Sequence, residues 1–497
     1  MAIIFFSFLA IIIFIIVVKG GPMISKDIEI NKDEMKRIFR ASSDLVLYEF
    51  STQCKAKALV AYIECLVDRN GLYNDLVSPL IKELNSPEEI LNTVPIAGAR
   101  EVTDMDTITK ELLVGNAVLF IENIDTAYLF ELGKWERRAI EEPGNERVIK
   151  GPKEGFVEDI SVNKGLIRRR IRNPNLVFED YAIGSQTNTN VSLVYLADIV
   201  NPSILEEVRE RLKNIKLDAI LDASYIEQVI KDSPRSLIPT VGYTEKPDVA
   251  AGKILEGRIA IISDVSPMVL TIPKIFIENF QISEDYYTIP KYATYLRIIR
   301  VFSLLTAISL PGILVALKTY HQEMLPTSLL MSMASGREGV PFTALVEALL
   351  MLIFLEIIKE SSIRTPSSIG MAVTVVSGLV LGQTAVQAGL VGPIMVIAIA
   401  SSGISEFIFA GLKEMIVLYR FVILLLGGTL GLFGVVCGII IIIVHLISVR
   451  SFGVPYMYPI TPYDKEGMKD FIIRSPFDKM KYLPRNISNK KERERNE

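Results

Sequence analysis

Charged and apolar residues occupy different parts of this 497-residue chain, and that segregation restricts what it can fold into. Lys, Arg, Asp and Glu are frequent from residue 27 to 296, whereas residues 298–449 contain long apolar runs. Such runs reach about 20 residues, the length at which a helix crosses the hydrocarbon core of a bilayer. The sequence therefore predicts a soluble head followed by an α-helical polytopic membrane domain.

Composition excludes several classes of protein. A formal net charge of −4 argues against a nucleic-acid-binding protein, which normally presents a basic face. The three cysteines, Cys54, Cys65 and Cys437, form no even disulfide framework, so we expect the head to lie in a reducing compartment.

The sequence of the head carries no recognisable catalytic motif. The two histidines of the chain, His321 and His445, both follow the head, so a histidine metal cluster or a Ser-His-Asp triad in the head is excluded. Phosphate-binding and dinucleotide-binding glycine motifs are also missing from the sequence. We therefore expect no enzyme, no cofactor and no metal site.

The apolar leader, residues 1–22, has two interpretations. It lacks a basic segment before its apolar run and a small-x-small cleavage pattern, which argues against a signal peptide. Lys19 follows the run, so the leader could be an anchor that leaves the head inside the cell. Alternatively, translation starts at Met23 and the leader is a mis-annotated start.

The head is internally duplicated. An apolar strand-like run followed by a helix pattern occurs at 58–84 and again at 191–215, and a hairpin-like element occurs at 113–132 and again at 255–272. The repeated order predicts a two-lobed α/β head.

The predicted lobes are residues 27–145 and 166–296. Between them we predict a linker, residues 146–165, because Gly151, Pro152 and Gly155 fall in this stretch.

The membrane domain is predicted at residues 297–449, with four to six helices. Ile298–Leu317 is the first spanning candidate, and Pro311 is expected to kink it. The run Met415–Val449 is too long for one simple span, so a break is expected at Gly427, Gly428, Gly431 or Gly434.

Two carboxylates lie within these apolar segments. Glu347 and Glu356 are costly at membrane depth unless they are paired, for which Arg337 and Arg364 are candidates. The alternative to structural ion pairing is an ion-coordinating role.

Small and polar residues form one side of a predicted helix at 369–390. Such a side suits close helix packing, and in a symmetric oligomer it can also line a pore whose apolar members gate by dewetting. The candidate pore-lining residues are Thr374, Val376, Ser377, Gly378, Val380, Leu381 and Gly382.

The tail, residues 450–497, is polar and ends in a run rich in Lys and Arg. The positive-inside bias predicts that the tail is cytosolic, on the same side as the head. That arrangement requires an even number of spans after residue 296.

Several of these motifs resemble the GerA spore-germination family, and the resemblance covers about residue 40 to 485. The residues that carry it include Lys150–Phe156, Leu166–Ile171, Thr244–Asp248, Gly336–Pro341 and Arg450–Tyr456.

The resemblance implies the A subunit of a nutrient germinant receptor in the spore inner membrane. Its implied partners are a transporter-like B subunit and a lipoprotein C subunit. It further implies a homo-oligomeric ring whose membrane domain conducts monovalent cations when nutrient binds, which favours the pore interpretation. A close relative in the same family, encoded beside the spore calcium-dipicolinate channel genes, would instead amplify germination without sensing a nutrient.

Two other functions remain as alternatives. A non-conducting scaffold would only cluster the other subunits. A secondary transporter would move its substrate by alternating access, although residues 298–449 show no inverted repeat.

Overall fold

The computed structural model describes residues 24–134, 142–144, 146–234, 236–365, 378, 380–490 and 492–493, and the predicted leader lies outside them. The chain forms two compact units. The first contains the described parts of Met1–Ile230, Val241–Pro273 and Tyr482–Glu497, and the second contains Lys231–Thr240 and Lys274–Lys481. The chain therefore passes between the units four times.

The first unit contains two five-stranded antiparallel sheets with the same strand order, β1-β2-β4-β5-β3 and β6-β7-β9-β10-β8. The strands are β1 (Leu45–Ser51), β2 (Lys57–Ile63), β3 (Arg100–Val102), β4 (Ala117–Ile121), β5 (Ala127–Phe130), β6 (Leu176–Ile183), β7 (Thr189–Leu196), β8 (Gly242–Thr244), β9 (Ile259–Ser263) and β10 (Val269–Ile272). The two sheets have the same strand order, so the repeat that is visible in the sequence covers each sheet as a whole.

Helices cover these sheets. They are α1 (Ile28–Ile38), α2 (Met105–Leu112), α3 (Ile160–Arg170), α4 (Pro202–Lys213), α5 (Ala223–Ile230) and α6 (Pro247–Leu255), with short helical segments at Arg69–Gly71, Leu72–Val77, Ser78–Lys82, Pro87–Glu89 and Ile90–Thr93. Local sequence sets their starts: the Asp104 carboxylate accepts the Thr107 N–H at 2.9 Å before α2, and the Asn201 side chain accepts the Ser203 N–H before α4.

The core of the first lobe shows why its central strand is apolar throughout. All five residues of β4 are buried. Val118 and Phe120 pack with α1 and α2 on one face of the sheet, and Ala117, Leu119 and Ile121 pack on the other. A strand with apolar neighbours on both faces reads as a continuous apolar run.

The two lobes are joined through α3. The Arg168 guanidinium is fully buried and donates to both carboxylate oxygens of Asp44, at 2.9 and 3.0 Å. On the same helix, a Cβ built at Gly165 would lie 3.0 Å from the Cys65 carbonyl oxygen, so α3 approaches the first lobe closely. The Ser43 N–H also donates to the Phe178 carbonyl of β6 at 3.0 Å.

Two segments of the structure cross the predicted boundaries of the lobes. Helix α3 begins inside the predicted linker because the Asp159 carboxylate caps it. Residues 274–296, assigned to the second lobe from the sequence, group with the second unit because they lead into its first long helix. In the linker, Gly151 is exposed with φ +136°. Pro152 is half-buried and Gly155 is buried.

The second unit is mainly helical. It contains α7 (Pro290–Thr319), α8 (Thr327–Ser335), α9 (Ala344–Arg364), helical residues at 380–387, α10 (Pro393–Glu406) and α11 (Lys413–Ser448), with short turns at Phe276–Phe280, Ser283–Tyr286, Gln322–Met324, Ala410–Leu412, Gly467–Asp470 and Phe477–Lys479. Among the described residues, Pro290–Thr319 and Ala410–Ser448 are long and apolar enough to cross a membrane. Helix α10 has 14 residues and rises only about 21 Å, less than the roughly 30 Å hydrocarbon core of a bilayer.

Helix α11 is broken at Gly431, where φ is +64° and ψ is −150°. The chain reverses there. A Cβ built at Gly438 would meet the Ile423 side chain, and the Tyr419 hydroxyl lies 2.8 Å from Nδ1 of His445. The expected break among the glycines of this run is therefore confirmed, and it makes an antiparallel helical hairpin.

The end of the chain returns to the first unit. The Asn489 N–H donates to the Ile199 carbonyl at 2.8 Å, and the Arg493 guanidinium donates to Glu256 at 2.8 Å. Burial alone would raise the pKa of the Glu256 carboxyl, but Arg258 and Arg493 together hold that pKa below its usual value. The carboxylate therefore stays charged and keeps its tie to the tail.

We expect Asp44→Asn to lower the free energy of unfolding of the head by about 3 kcal/mol, because it leaves the buried Arg168 charge uncompensated. Urea unfolding of the purified protein, followed by circular dichroism, measures this. The matched control is Asp125→Asn, whose ion pair with Lys26 is 3.7 Å long and two-thirds exposed. It should cost less than about 0.5 kcal/mol. Equal losses from both variants would contradict the inter-lobe role.

Candidate functional site

The most constrained site in the second unit surrounds a proline. Pro311 lies inside α7 and has no N–H, so the Ala307 carbonyl loses its helical partner. That carbonyl instead accepts the Ser402 hydroxyl at 2.8 Å and Nε–H of Arg420 at 2.9 Å. Because Ser402 lies on α10 and Arg420 on α11, the proline ties three helices together.

Four charged side chains, which we call the charge cluster, continue from this carbonyl. Arg420 also donates to Glu406, which accepts from Lys359 at 2.9 Å. Lys359 donates in turn to Glu356 at 2.7 Å. The cluster contains two positive and two negative groups, and it adds α9 to the three helices.

Burial makes the charge cluster energetically important. Arg420, Glu406 and Lys359 are 1%, 2% and 7% exposed, respectively. Charges removed from water are tolerated when they are paired and hydrogen-bonded, and losing one partner then costs about 3–5 kcal/mol. Glu356, which was expected to need a positively charged partner, forms an ion pair with Lys359 and lies 3.8 Å from Arg420.

The second predicted carboxylate, Glu347, is fully buried in a separate group. Nζ of Lys318 donates to it at 3.0 Å, Nε of Arg337 lies 3.5 Å from it, and the Gly392 N–H donates at 3.3 Å. The candidate pairing with Arg337 is thus present. Arg364, the other candidate, pairs with Glu360 one helical turn away.

Glycines allow the long helices to cross closely. A Cβ built at Gly427 would lie 2.5 Å from the Gly312 carbonyl oxygen, and one built at Gly312 would lie 2.8 Å from the Ile423 carbonyl oxygen. Contacts this short exclude any side chain. Close packing in the second unit is therefore achieved by α7 and α11.

The candidate pore-lining residues differ from Gly312 and Gly427 in the contacts that they make. Thr374, Val376 and Ser377 lie outside the described residues. In the described part, no atom comes within 4 Å of a Cβ built at Gly378, and the nearest neighbour at Gly382 is Val396 at 3.6 Å.

Val380 and Leu381 are 51% and 42% exposed. Among the described residues, this part of the small-residue side makes no tight helix contact.

The structure defines a protein with a two-lobed α/β head joined to apolar helices long enough to cross a membrane. A sequence model of the Bacillus/Clostridium GerA spore germination protein family matches residues 33–486, and the chain belongs to that family. The resemblance seen in the sequence motifs is confirmed.

Two relatives agree with this assignment. Spore germination protein KA of Bacillus subtilis (strain 168) is 40% identical over 476 residues, which cover 94% of this chain and 88% of the relative. Spore germination protein GerLA of Bacillus cereus is 36% identical over 443 residues, covering 87% and 90%. The crystal structure of the N-terminal domain of the A subunit of the Bacillus megaterium spore germinant receptor GerK3 is 30% identical, covers 52% of this chain and 99% of that domain, and has a TM-score of 0.41.

Sequence reasoning missed most of the charge cluster. Lys359, Glu406 and Arg420 received no role, although ionisable residues in apolar segments are functional candidates by default. Arg420 carried the clearest signal because it lies inside the long run at 415–449. The sequence did not indicate which residues pair with Arg420, because those residues lie on other helices of the chain.

A double-mutant cycle tests the bond to the freed carbonyl. Ser402→Ala should destabilise the protein by about 1 kcal/mol, as expected for one lost hydrogen bond. In a Pro311→Ala background the cost should fall, because the new N–H at 311 supplies the Ala307 carbonyl with a partner. Thermal unfolding in detergent, followed by circular dichroism, measures both.

Ser309→Ala is the control for this cycle, because its hydroxyl donates to the Leu305 carbonyl at 2.6 Å on the same helix. Its cost should be the same in both backgrounds. A cost of Ser402→Ala that is independent of Pro311 would show that the two residues do not share the Ala307 carbonyl.

Glu347→Gln should reduce the yield and thermal stability of the detergent-purified protein, with a loss of about 3 kcal/mol or more, because it leaves the buried Lys318 charge unpaired. Size-exclusion chromatography after stepwise heating measures the surviving folded fraction. Glu360→Gln removes an exposed pair with Arg364 and should cost less than about 0.5 kcal/mol. If Glu347→Gln kept the wild-type folded fraction after heating, the ion pair of Glu347 and Lys318 would not be structural.

Proposed function

We propose that this chain is the A subunit of a spore germinant receptor, and that it couples nutrient sensing to the release of monovalent cations through a ring of identical subunits. Family membership and the spore germination relatives support the receptor role. The observation that carries the channel role is the exposure of Val380 and Leu381 beside Gly378, which has no close neighbour among the described residues.

Small residues that served helix packing within the chain would have close neighbours, as Gly312 and Gly427 do. Gly378 has none among the described residues, so its side of the helix is available to a neighbouring copy or to a central pore. In a ring, one such helix from each subunit would surround the axis. Apolar members such as Val380 would close the pore by excluding water, and polar members would line it when open.

The path of the chain supports a head and tail on the same side of the membrane. Residues 482–490 dock on the second lobe, through contacts such as Asn489 to Ile199. A chain that leaves the head at 273 and returns at 482 crosses the membrane an even number of times. The basic end of the tail then makes that side cytosolic, with the membrane domain in the spore inner membrane.

Gating needs a ligand that binds the open state more tightly than the closed state. We assign nutrient binding to the transporter-like B subunit, with a lipoprotein C subunit as a further partner. The charge cluster would keep α7, α9, α10 and α11 moving as one body, so that the change of state falls on the helix at 380–387. A modest difference in affinity between states is enough to shift their populations.

The channel role predicts that Val380→Trp lowers the rate of potassium release at least tenfold, because a bulky ring would fill the narrowest part of the pore. Potassium is followed with an ion-selective electrode after spores receive a mixture of the twenty L-amino acids, glucose and inosine. Deletion of the gene identifies the part of the release that depends on this chain. Immunoblotting confirms that each variant reaches the wild-type level.

The matched control is Ile441→Trp, which places the same ring on the hairpin at a side chain that is 64% exposed. It should leave release unchanged. Unchanged release from both variants would reject the pore and favour the non-conducting scaffold. Loss of release from both would point to a general effect of added bulk on assembly.

A further inference from the structure

A short β-hairpin follows the last apolar helix and has no role in the proposed pore. Strand β11 (Arg450–Ser451) pairs with β12 (Val454–Pro455), and it begins two residues after α11 ends. The turn residues Phe452 and Gly453 have φ of +48° and +81°. Positive φ at both central positions is the signature of a tight hairpin turn that matches strand twist.

Phe452 is an unusual residue for this turn. A side chain other than glycine in the left-handed region is strained, and such residues persist where the surroundings fix them. Phe452 is 1% exposed, and its N–H donates to the Asp232 carboxylate at 2.8 Å. The turn is therefore anchored by both its ring and its backbone.

The Ser451 hydroxyl joins two other segments. It donates to the Thr240 carbonyl at 2.6 Å and accepts the Lys274 N–H at 3.0 Å, and the side chain is fully buried. Thr240 and Lys274 both belong to the second unit, but each is covalently bonded to the first unit, through Val241 and Pro273. The Ser451 hydroxyl thus holds the end of α11 to two points where the chain passes between the second unit and the first.

A second pair of bonds supports the same connection. The Tyr456 N–H donates to the Val449 carbonyl at 3.0 Å, and the Tyr456 carbonyl accepts the Phe276 N–H at 2.8 Å. The Tyr456 side chain is fully buried. The segment that leads into α7 and the segment that leaves α11 are therefore fastened side by side.

We infer that Ser451 is a positioning residue that couples movements of α11 to the head, through the Thr240 carbonyl and the Lys274 N–H. This inference rests on the proposed function, since it describes how a change of state passes between the membrane helices and the head. The hydroxyl suits the role because it donates to one segment and accepts from the other at the same time. Loss of the hydroxyl would leave only the Phe452 and Tyr456 bonds, so the end of α11 would be held less firmly to the two segments.

The first test is local and does not depend on receptor activity. Hydrogen–deuterium exchange of the purified full-length protein should show exchange at the Lys274 amide at least tenfold faster in Ser451→Ala than in the wild type. Ser448→Ala is the control: its exposed hydroxyl donates to the His445 carbonyl three residues away, so Lys274 should exchange at the wild-type rate. Unchanged exchange in Ser451→Ala would overturn the inference.

The second test is potassium release from spores that receive the amino acid, glucose and inosine mixture. Ser451→Ala should slow release at least tenfold at a wild-type protein level, whereas Ser451→Thr, which keeps a hydroxyl, and Ser448→Ala should release normally. If Ser451→Ala does not accumulate, Ser451→Cys decides, because a thiol of similar size is a weaker donor and should slow release to an intermediate rate.

The outcomes separate the coupling role from the proposed function. Normal release from Ser451→Ala spores, in a strain where deletion of the gene abolishes release, would overturn the coupling role alone. Release that is the same with and without the gene would overturn the proposed function. Slow release together with faster exchange at Lys274 supports both.

Discussion

The arrangement of the apolar helices depends on one carbonyl group. Pro311 deprives the Ala307 oxygen of its helical partner, and a buried carbonyl without a donor is costly. Ser402 and Arg420 supply the donors from two other helices. Arg420 then requires a counter-charge, which Glu406 provides, and Glu406 in turn accepts from Lys359. A missing N–H in one helix therefore dictates which faces of three other helices point inward.

This dependence gives the second unit a rigid part and an exposed part. Around the charge cluster, close glycine contacts and buried ion pairs leave little freedom, because losing any partner strands a charge away from water. Gly378 and Gly382 make no close helix contact among the described residues, and Val380 and Leu381 are exposed. A gate needs this contrast, since a moving element must be less firmly held than the frame that supports it.

The head is built from two lobes with the same sheet topology. Each lobe buries a five-stranded sheet of the same order between helices, so each has its own core. A buried polar contact joins them: the Arg168 guanidinium of the second lobe pairs with the Asp44 carboxylate of the first. The returning tail at Asn489 adds a further tie to the second lobe.

The sequence by itself determined the layout of this protein, because segregation of charged and apolar residues, repeated strand patterns and the glycines near 431 act through local physics. The expected break of α11, the duplicated strand order and the need to pair Glu347 all follow from such patterns. Only the tertiary structure decided the partners. Asp44 and Arg168 are 124 residues apart, and Arg420 lies 113 residues from the Ala307 carbonyl that it caps. Nothing in a local pattern encodes which distant donor meets which acceptor, because that choice depends on how whole helices and lobes pack.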